Sequence, residues 1–228
     1  NPKPQTPNPK PQTPNPRADD DSVDIIARKD IIYNPMKRST LIFVIFALVG
    51  LSLNQSVVDL MISKLGKYRS FASDQVSNAR AIMTACTAYT TDVSQLAYVL
   101  STAIGESSLR PIKEIRCGKT QSCYQAQEKY WYTGYYGRGY VQLTWQSNYS
   151  KFGSLLGVDL VGNPDLALRP DIAGKIICIG MKKGLFTGVG LDNYLGGGKS
   201  DWTNARRIVN GLDKAQEFGD RGRAIANA

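Results

Sequence analysis

Two glutamates and one polar segment are the parts of this sequence that could carry out chemistry. Glu106 ends the apolar run L-A-Y-V-L-S-T-A-I-G, and Glu114 follows in the polar stretch R-P-I-K-E. We expect the carboxyl group of Glu106 to border a hydrophobic wall, which favours the protonated acid, and Glu114 to stay ionised. Two carboxylates in contrasting environments are the minimal apparatus for hydrolysing a glycosidic bond.

The segment G-Y-Y-G-R-G-Y-V-Q-L-T-W-Q-S-N-Y, residues 134–149, predicts the wall of a cleft for a neutral, hydroxyl-rich ligand. Its glycines permit a tight turn and a close approach of the backbone. The hydroxyl group of Thr144 is suited to orienting a water molecule. The candidate substrate-binding side chains in this segment are the amides of Gln142 and Asn148, the guanidinium of Arg138 and the rings of Tyr136 and Trp145.

The chain contains no histidine. This excludes Ser-His-Asp and Cys-His hydrolases, H-E-x-x-H proteases and His-ligated zinc amidases. The four cysteines do not form paired C-x-x-C knuckles, which argues against zinc. We therefore expect no metal and no cofactor, and carboxylates remain the main candidates for acid–base chemistry.

The cysteines divide into two kinds. Cys117 and Cys123 bracket the short polar loop G-K-T-Q-S, where a small disulfide is plausible outside the cytosol and free thiols are the alternative. Cys86 and Cys178 lie in apolar patterns of helical spacing and are predicted to be buried thiols.

The elements that must position the two glutamates are helical. Apolar residues recur at helical spacing from about residue 70 onward, and Asp92 predicts the start of the helix that carries Glu106. Few segments favour strands, and the two near residues 112–115 and 140–143 are short. The pattern predicts a mainly α fold over residues 65–228.

The N-terminal part has a different composition. Residues 1–35 hold an exact N-P-K-P-Q-T-P repeat and a charged linker, which predicts an extended spacer or a docking segment for a partner protein. Residues 36–64 combine Lys37 and Arg38 with an apolar run, and one helix over residues 40–64 could span a membrane. The alternatives are a cleaved signal peptide and a helix buried in an assembly. As an anchor, it would place the C-terminal part outside the cytoplasm.

The net charge of +9 lies downstream of this tail. It suits an anionic polymer such as peptidoglycan or a phospholipid surface, and ordinary surface lysines are the alternative. Nucleic acid is not among the partners we expect.

The order of motifs resembles glycoside hydrolase family 19. The resemblance covers about residues 70–228 and rests on the segments L-A-Y-V-L-S-T-A-I-G-E-S-S, R-P-I-K-E, Y-Y-G-R-G-Y-V-Q-L-T-W-Q-S-N-Y, G-V-D-L-V-G-N-P-D-L-A-L and N-A-R-R-I-V-N-G. Within the family, the chain is most similar to chitinase-like phage endolysins and virion lysins.

The resemblance implies a lysozyme-like, two-lobed helical fold and an inverting mechanism. Glu106 corresponds to the general acid, Glu114 to the general base and Thr144 to the residue that holds the attacking water. The substrate-binding groups implied are Gln142 and Asn148 on one cleft wall and Asn210 and Arg221 on the other.

Two departures from the family pattern leave alternatives open. Gly105 stands where the family usually has histidine, and the loop between the carboxylates is short, so Glu128 is the reserve candidate for the base. The expected function is a peptidoglycan glycosidase that cleaves β-1,4 MurNAc/GlcNAc linkages, membrane-anchored in the host periplasm or virion-bound. A chitinase and a non-catalytic virion component that grips the cell wall are the competing functions.

Overall fold

A computed structural model describes the backbone of residues 35–228 and the side chains of residues 39–228. The predicted proline-rich tail and nearly all of the charged linker lie outside the described residues, as do the side chains of Lys37 and Arg38. A division between two compact units falls between Val49 and Gly50.

The first helix, α1, runs from Pro35 to Tyr68. Large apolar side chains between Leu41 and Leu53 are 48–74% exposed. Residues 39–68 are long and apolar enough to cross a membrane, a property that a signal sequence or the core helix of a soluble protein shares. The predicted apolar helix is therefore present.

The second part of α1 belongs to the globular core. Val58, Met61 and Leu65 are at most 2% exposed, and their spacing places them on one helix face. Nζ of Lys64 also donates to the carbonyl of Ala226, which ties this face to the C-terminal helix.

Helix α2 covers Ser73–Cys86, and α3 covers Val93–Ser107. The side chain of Asp92 accepts a hydrogen bond from the backbone of Gln95, so the predicted start of α3 is confirmed. Helix α3 is buried along nearly its whole length, and it ends in the left-handed residue Ser108. Glu106 thus lies in the last turn of a core helix.

Two short strands follow, β1 at Ile112–Lys113 and β2 at Arg138–Gly139. They pair antiparallel, with Ile112 opposite Gly139. The second predicted strand, residues 140–143, is instead a turn, in which Gln142 has φ 53° and Leu143 bridges back to Arg138. The antiparallel pairing places Glu114, which follows β1, beside Gly137, which precedes β2.

The remaining elements complete the domain. They are α4 (Tyr124–Glu128), α5 (Gln146–Leu156), α6 (Pro170–Lys183), α7 (Leu191–Tyr194), β3 (Leu195–Gly196), β4 (Lys199–Ser200), α8 (Ala215–Asn227) and the 3₁₀ turns Trp131–Thr133, Pro164–Leu168 and Asn204–Ile208. The hydrophobic residues form two clusters, a larger one around α3 and a smaller one between α5 and α6. The predicted mainly helical fold with few short strands is confirmed.

All four cysteines are paired. Cys117 and Cys123 form the small loop disulfide. Cys86 and Cys178 form a second disulfide between α2 and α6. The prediction of buried thiols at these two positions was wrong, because the pairing depends on helix packing across 92 residues, which local spacing does not reveal.

Candidate active site

Glu106 forms an ion pair with a buried arginine. Nη1 of Arg206 lies 2.6 Å from Oε1 of Glu106, and the arginine side chain is 4% exposed. The prediction of a hydrophobic wall around Glu106 is therefore wrong in one respect, since the charged guanidinium of Arg206 contacts the carboxylate. The guanidinium group thus places a positive charge against the carboxylate of Glu106.

Arg206 is held from two other sides. Its Nε donates to the carbonyl of Asp213 at 3.1 Å. Its guanidinium carbon lies 4.0 Å from the ring centroid of Phe218. These contacts aim Nη1 at Glu106, because the planar guanidinium group has a fixed fork of donors.

Glu114 is held by three donors. Oε1 accepts hydrogen bonds from Nε2 of Gln127 at 2.8 Å and from the hydroxyl of Tyr130 at 2.7 Å. Oε2 accepts from the backbone N–H of Gly137 at 2.8 Å. These three bonds hold both oxygens of the carboxylate in place. Burial, together with the bond to Glu114, raises the pKa of Tyr130 above its usual value, so the hydroxyl keeps the proton that it donates.

The β1–β2 ladder explains why Glu114 faces the 134–149 segment. The backbone N–H of Glu114 donates to the carbonyl of Gly137, which continues the ladder by one residue. A Cβ atom at Gly137 would lie 2.8 Å from Oε1 of Gln142 and 3.1 Å from Oε2 of Glu114. Glycine at this position thus lets the backbone, the carboxylate and the amide come together.

Thr144 lies two residues further along the same wall. Its hydroxyl donates to the carbonyl of Gln142 at 2.9 Å, which leaves the oxygen lone pairs as acceptors. Nδ2 of Asn148 donates to the carbonyl of Thr144 at 2.8 Å. Nε2 of Gln142 donates to the carbonyls of Ile112 and Gly139, so its Oε1 is the end of the amide beside Glu114.

Trp145 follows with φ 76°, a strained backbone conformation for a bulky residue. Its ring is 45% exposed and meets the ring of Tyr130 edge-on at 5.2 Å. The structure therefore brings Trp145 to the same site as Glu114 and leaves part of its surface open.

Glu128, the reserve candidate for the base, is engaged elsewhere. It forms an ion pair with Arg116. The guanidinium carbon of Arg116 also lies 4.5 Å from the ring centroid of Tyr132. Of the two candidates, the structure places Glu114 against Gly137 and Gln142.

Arg138 lies behind the wall rather than on it. The residue is 4% exposed; Nε donates to Asp165, and Nη1 donates to two backbone carbonyls and to the hydroxyl of Tyr149. The ring of Tyr136 stacks on Trp131 at 4.4 Å and also contacts the Arg138 guanidinium. For Arg138 these contacts correct the expectation of substrate binding, because the buried guanidinium satisfies the carbonyls of the turn. Tyr136 is partly exposed, and its role in substrate binding stays a prediction.

Two predicted residues lie near the acid. Nη1 of Arg221 donates to the carbonyl of Ser101 on α3, and Nη2 is paired with Glu217. Asn210 is exposed, and its backbone N–H donates to the carbonyl of Arg206. The predicted residues therefore fall into two sets, one near Glu106 on α3 and one formed by Glu114 and the 134–149 segment.

Sequence reasoning missed three residues of this site. Arg206 lies inside the motif N-A-R-R-I-V-N-G, but the sequence did not show that it pairs with Glu106. Gln127 and Tyr130 lie in an irregular loop region without hydrophobic periodicity. A buried or half-buried polar side chain near a candidate carboxylate would have identified Gln127 and Tyr130. The sequence of an irregular loop does not show which of its side chains are buried. Among residues 39–228, the structure shows no cluster of three or more side chains suited to a metal ion.

Comparisons with known proteins identify relatives of this helical fold. Residues 69–178 match the family model described as chitinase class I, which is glycoside hydrolase family 19. The crystal structure of chitinase C from Streptomyces griseus HUT6037 superposes with a TM-score of 0.50 at 22% identity, over 76% of this chain and 91% of that one.

Several curated plant proteins share a short stretch with this chain. Chitinase 8 of Oryza sativa subsp. japonica is 72% identical over 32 residues, which make up 14% of this chain and 12% of the rice protein. Endochitinase 1 of Theobroma cacao is 55% identical over 42 residues, 18% of this chain and 13% of that protein. Inactive chitinase-like protein 1 of Hevea brasiliensis is 59% identical over 32 residues, 14% of this chain and 10% of that protein. The match thus spans about an eighth of each relative or less.

These findings confirm the resemblance. Residues 69–178, which contain Glu106, Glu114 and the 134–149 segment, match the model of glycoside hydrolase family 19.

Proposed function

We propose that this protein hydrolyses β-1,4-glycosidic bonds between N-acetylated sugars by a single inverting displacement. The observation that supports this most strongly is the setting of Glu114: three hydrogen-bond donors hold its carboxylate, and one of them, the backbone N–H of Gly137, belongs to the segment that carries Thr144. Glu106, paired with Arg206, supplies the second carboxyl group.

In the proposed mechanism, a water molecule between Glu114 and Thr144 donates one hydrogen bond to the carboxylate and one to the threonine oxygen, whose own hydroxyl donates to the carbonyl of Gln142. A lone pair of the water attacks the anomeric carbon while Glu114 takes up one of its protons. Glu106 protonates the departing glycosidic oxygen, and Arg206 stabilises the carboxylate that results.

Chitin is the substrate that the names of the relatives favour. Peptidoglycan is the second candidate, because the net charge of +9 suits an anionic polymer. Release of reducing ends from N-acetylglucosamine hexamer and from purified sacculi separates the two substrates. Substituting Glu106→Gln should abolish release from whichever polymer is cut, and full activity in that variant would overturn the proposal.

A non-catalytic, wall-gripping protein is the remaining alternative, and one relative with a similar stretch is named an inactive chitinase-like protein. Such a protein would bind chitin or sacculi in sedimentation assays without releasing reducing ends. Catalytic activity that Glu106→Gln removes would exclude it.

The apolar part of α1 supports a membrane anchor from residue 40 to about residue 53, because its large side chains are exposed at ten positions between Leu41 and Leu53. The rest of the predicted 40–64 segment packs in the globular core through Val58 and Met61. We further propose that the proline-rich tail binds a partner protein and that the enzyme acts in a host periplasm or on a virion of phage origin. Flotation with phospholipid vesicles tests the anchor: the full chain should float and a chain that begins at Gly50 should not.

A further inference from the structure

The amide of Gln127 is buried and makes full use of its hydrogen-bonding groups. The residue is 5% exposed. Its Oε1 accepts from the backbone N–H of Cys117 at 2.6 Å. Its Nε2 donates one hydrogen to Oε1 of Glu114 at 2.8 Å and the other to the carbonyl of Ile115 at 2.9 Å. Since one acceptor and both donors have fixed partners, the amide has one favourable orientation.

A covalent and hydrogen-bonded ring holds this amide in place. Cys117 and Cys123 are joined by a disulfide. The carbonyl of Cys123 accepts from the backbone N–H of Gln127 at 3.0 Å, and Oε1 of Gln127 accepts from the backbone N–H of Cys117. The disulfide and the two hydrogen bonds form a closed ring. Moving Gln127 would therefore require opening the loop between the two cysteines.

We propose that Gln127 is a positioning residue for the base Glu114 and that the Cys117–Cys123 disulfide fixes Gln127 for this task. The proposal rests on the proposed function. Gln127 binds Oε1 of Glu114, whereas Oε2 lies beside Gly137 and Gln142. Holding Oε1 therefore turns Oε2 toward the wall of Thr144, and Oε2 becomes the oxygen that takes the proton of the water.

A purely structural role for Gln127 makes different predictions. If the residue only clamps the loop, its bond to Cys117 matters and its bond to Glu114 does not. Gln127→Glu keeps an acceptor for the Cys117 N–H but removes the donor to Glu114 and adds a negative charge beside it. Gln127→Met fills a similar volume and removes all three hydrogen bonds.

Steady-state kinetics on N-acetylglucosamine hexamer, or on sacculi if those are the substrate, test the proposal. We expect both variants to lower kcat about 10- to 100-fold, because each removes one hydrogen bond to a charged group. KM should change less than about threefold. Gln125→Met, an exposed neighbour on α4, is the matched control and should behave as the wild type.

The disulfide is tested by Cys117→Ser combined with Cys123→Ser. We expect a lower kcat, by about tenfold, because Gln127 becomes free to reorient. A wild-type kcat in Gln127→Glu would overturn the positioning role, and a wild-type kcat in the double serine variant would overturn the role of the disulfide.

A readout besides activity separates this proposal from the proposed function. In crystal structures of Gln127→Met and of wild type, Glu114 should lose its fixed orientation in the variant, with Oε2 displaced from Gly137. An unchanged Glu114 side chain would contradict the positioning role even if the wild type cut neither polymer, whereas absence of cleavage by the wild type would contradict only the proposed function.

Discussion

Arg206 donates to Oε1 of Glu106 at 2.6 Å across 100 residues of sequence. The pair joins the last turn of α3 to the 3₁₀ turn Asn204–Ile208, and both partners are largely shielded from solvent. Replacing Arg206 by Met should destabilise the fold by about 3 kcal/mol, because the carboxylate and the Asp213 carbonyl lose their donor.

The same variant should lower kcat at least about tenfold, since the carboxylate that forms on proton transfer loses its cation. Arg207→Met, at an exposed neighbouring position, is the control. A kcat equal to that of the wild type in Arg206→Met would contradict the role of the pairing.

Gly105, beside the acid, has no room for a side chain. A Cβ atom there would lie 2.3 Å from Cζ of Phe218, a ring that is 3% exposed and packs on Arg206. Gly105→Ala should therefore destabilise the protein by about 1–3 kcal/mol and lower kcat as Phe218 shifts against Arg206. Thermal unfolding and kinetics measure both effects.

Gly66→Ala provides the matched helical control. A Cβ atom at Gly66 meets nothing within 4 Å, so alanine there should be neutral or stabilise the helix by up to about 1 kcal/mol. If the two alanine variants unfolded at the same temperature, the contact between Gly105 and Phe218 would not exist in solution.

Asp165 makes stability depend on pH. A hydrogen bond from Lys113, then Arg138, holds the pKa of Asp165 below its usual value. Because the folded-state pKa is the lower one, the contribution to stability is present at neutral pH and is lost as pH falls below about 4. Asp165→Asn should reduce the stability at pH 7 and flatten its decline toward pH 3 in urea titrations; an unchanged decline would refute the assignment.

The start of the globular domain can be located by truncation. A chain that begins at Gly50 retains Val58, Met61 and Leu65 and should unfold at the temperature of the full chain. A chain that begins at Ser70 loses these three buried side chains, and at about 1.5–3 kcal/mol each this removes about 5 kcal/mol or more. Equal stability of the two truncated chains would show that the second part of α1 is not part of the core.

Local sequence signals predicted the elements of the site well. Asp92 marked the start of α3, the apolar spacing marked its buried face, and the glycines of the 134–149 segment marked the turn that receives Glu114. Each of these features depends on neighbours within a few residues, and the sequence displays such neighbours directly.

Contacts between distant residues could not be predicted in the same way. Arg138 looked like a ligand-binding cation, yet its partner Asp165 comes 27 residues later and the guanidinium is buried. Arg206 and the Cys86–Cys178 disulfide depend on how α3, α2 and α6 pack. Their roles follow from tertiary packing, which composition and periodicity constrain only weakly.

In the proposed mechanism, Glu114 activates a water on the face of the sugar opposite to the bond that Glu106 breaks. Proton NMR of the anomeric signals during cleavage of N-acetylglucosamine hexamer tests this mechanism, with sacculi as substrate if chitin is not cut. We expect newly formed reducing ends to be α-anomers before mutarotation, because a single displacement inverts a β-linkage. Initial formation of β-anomers would contradict it.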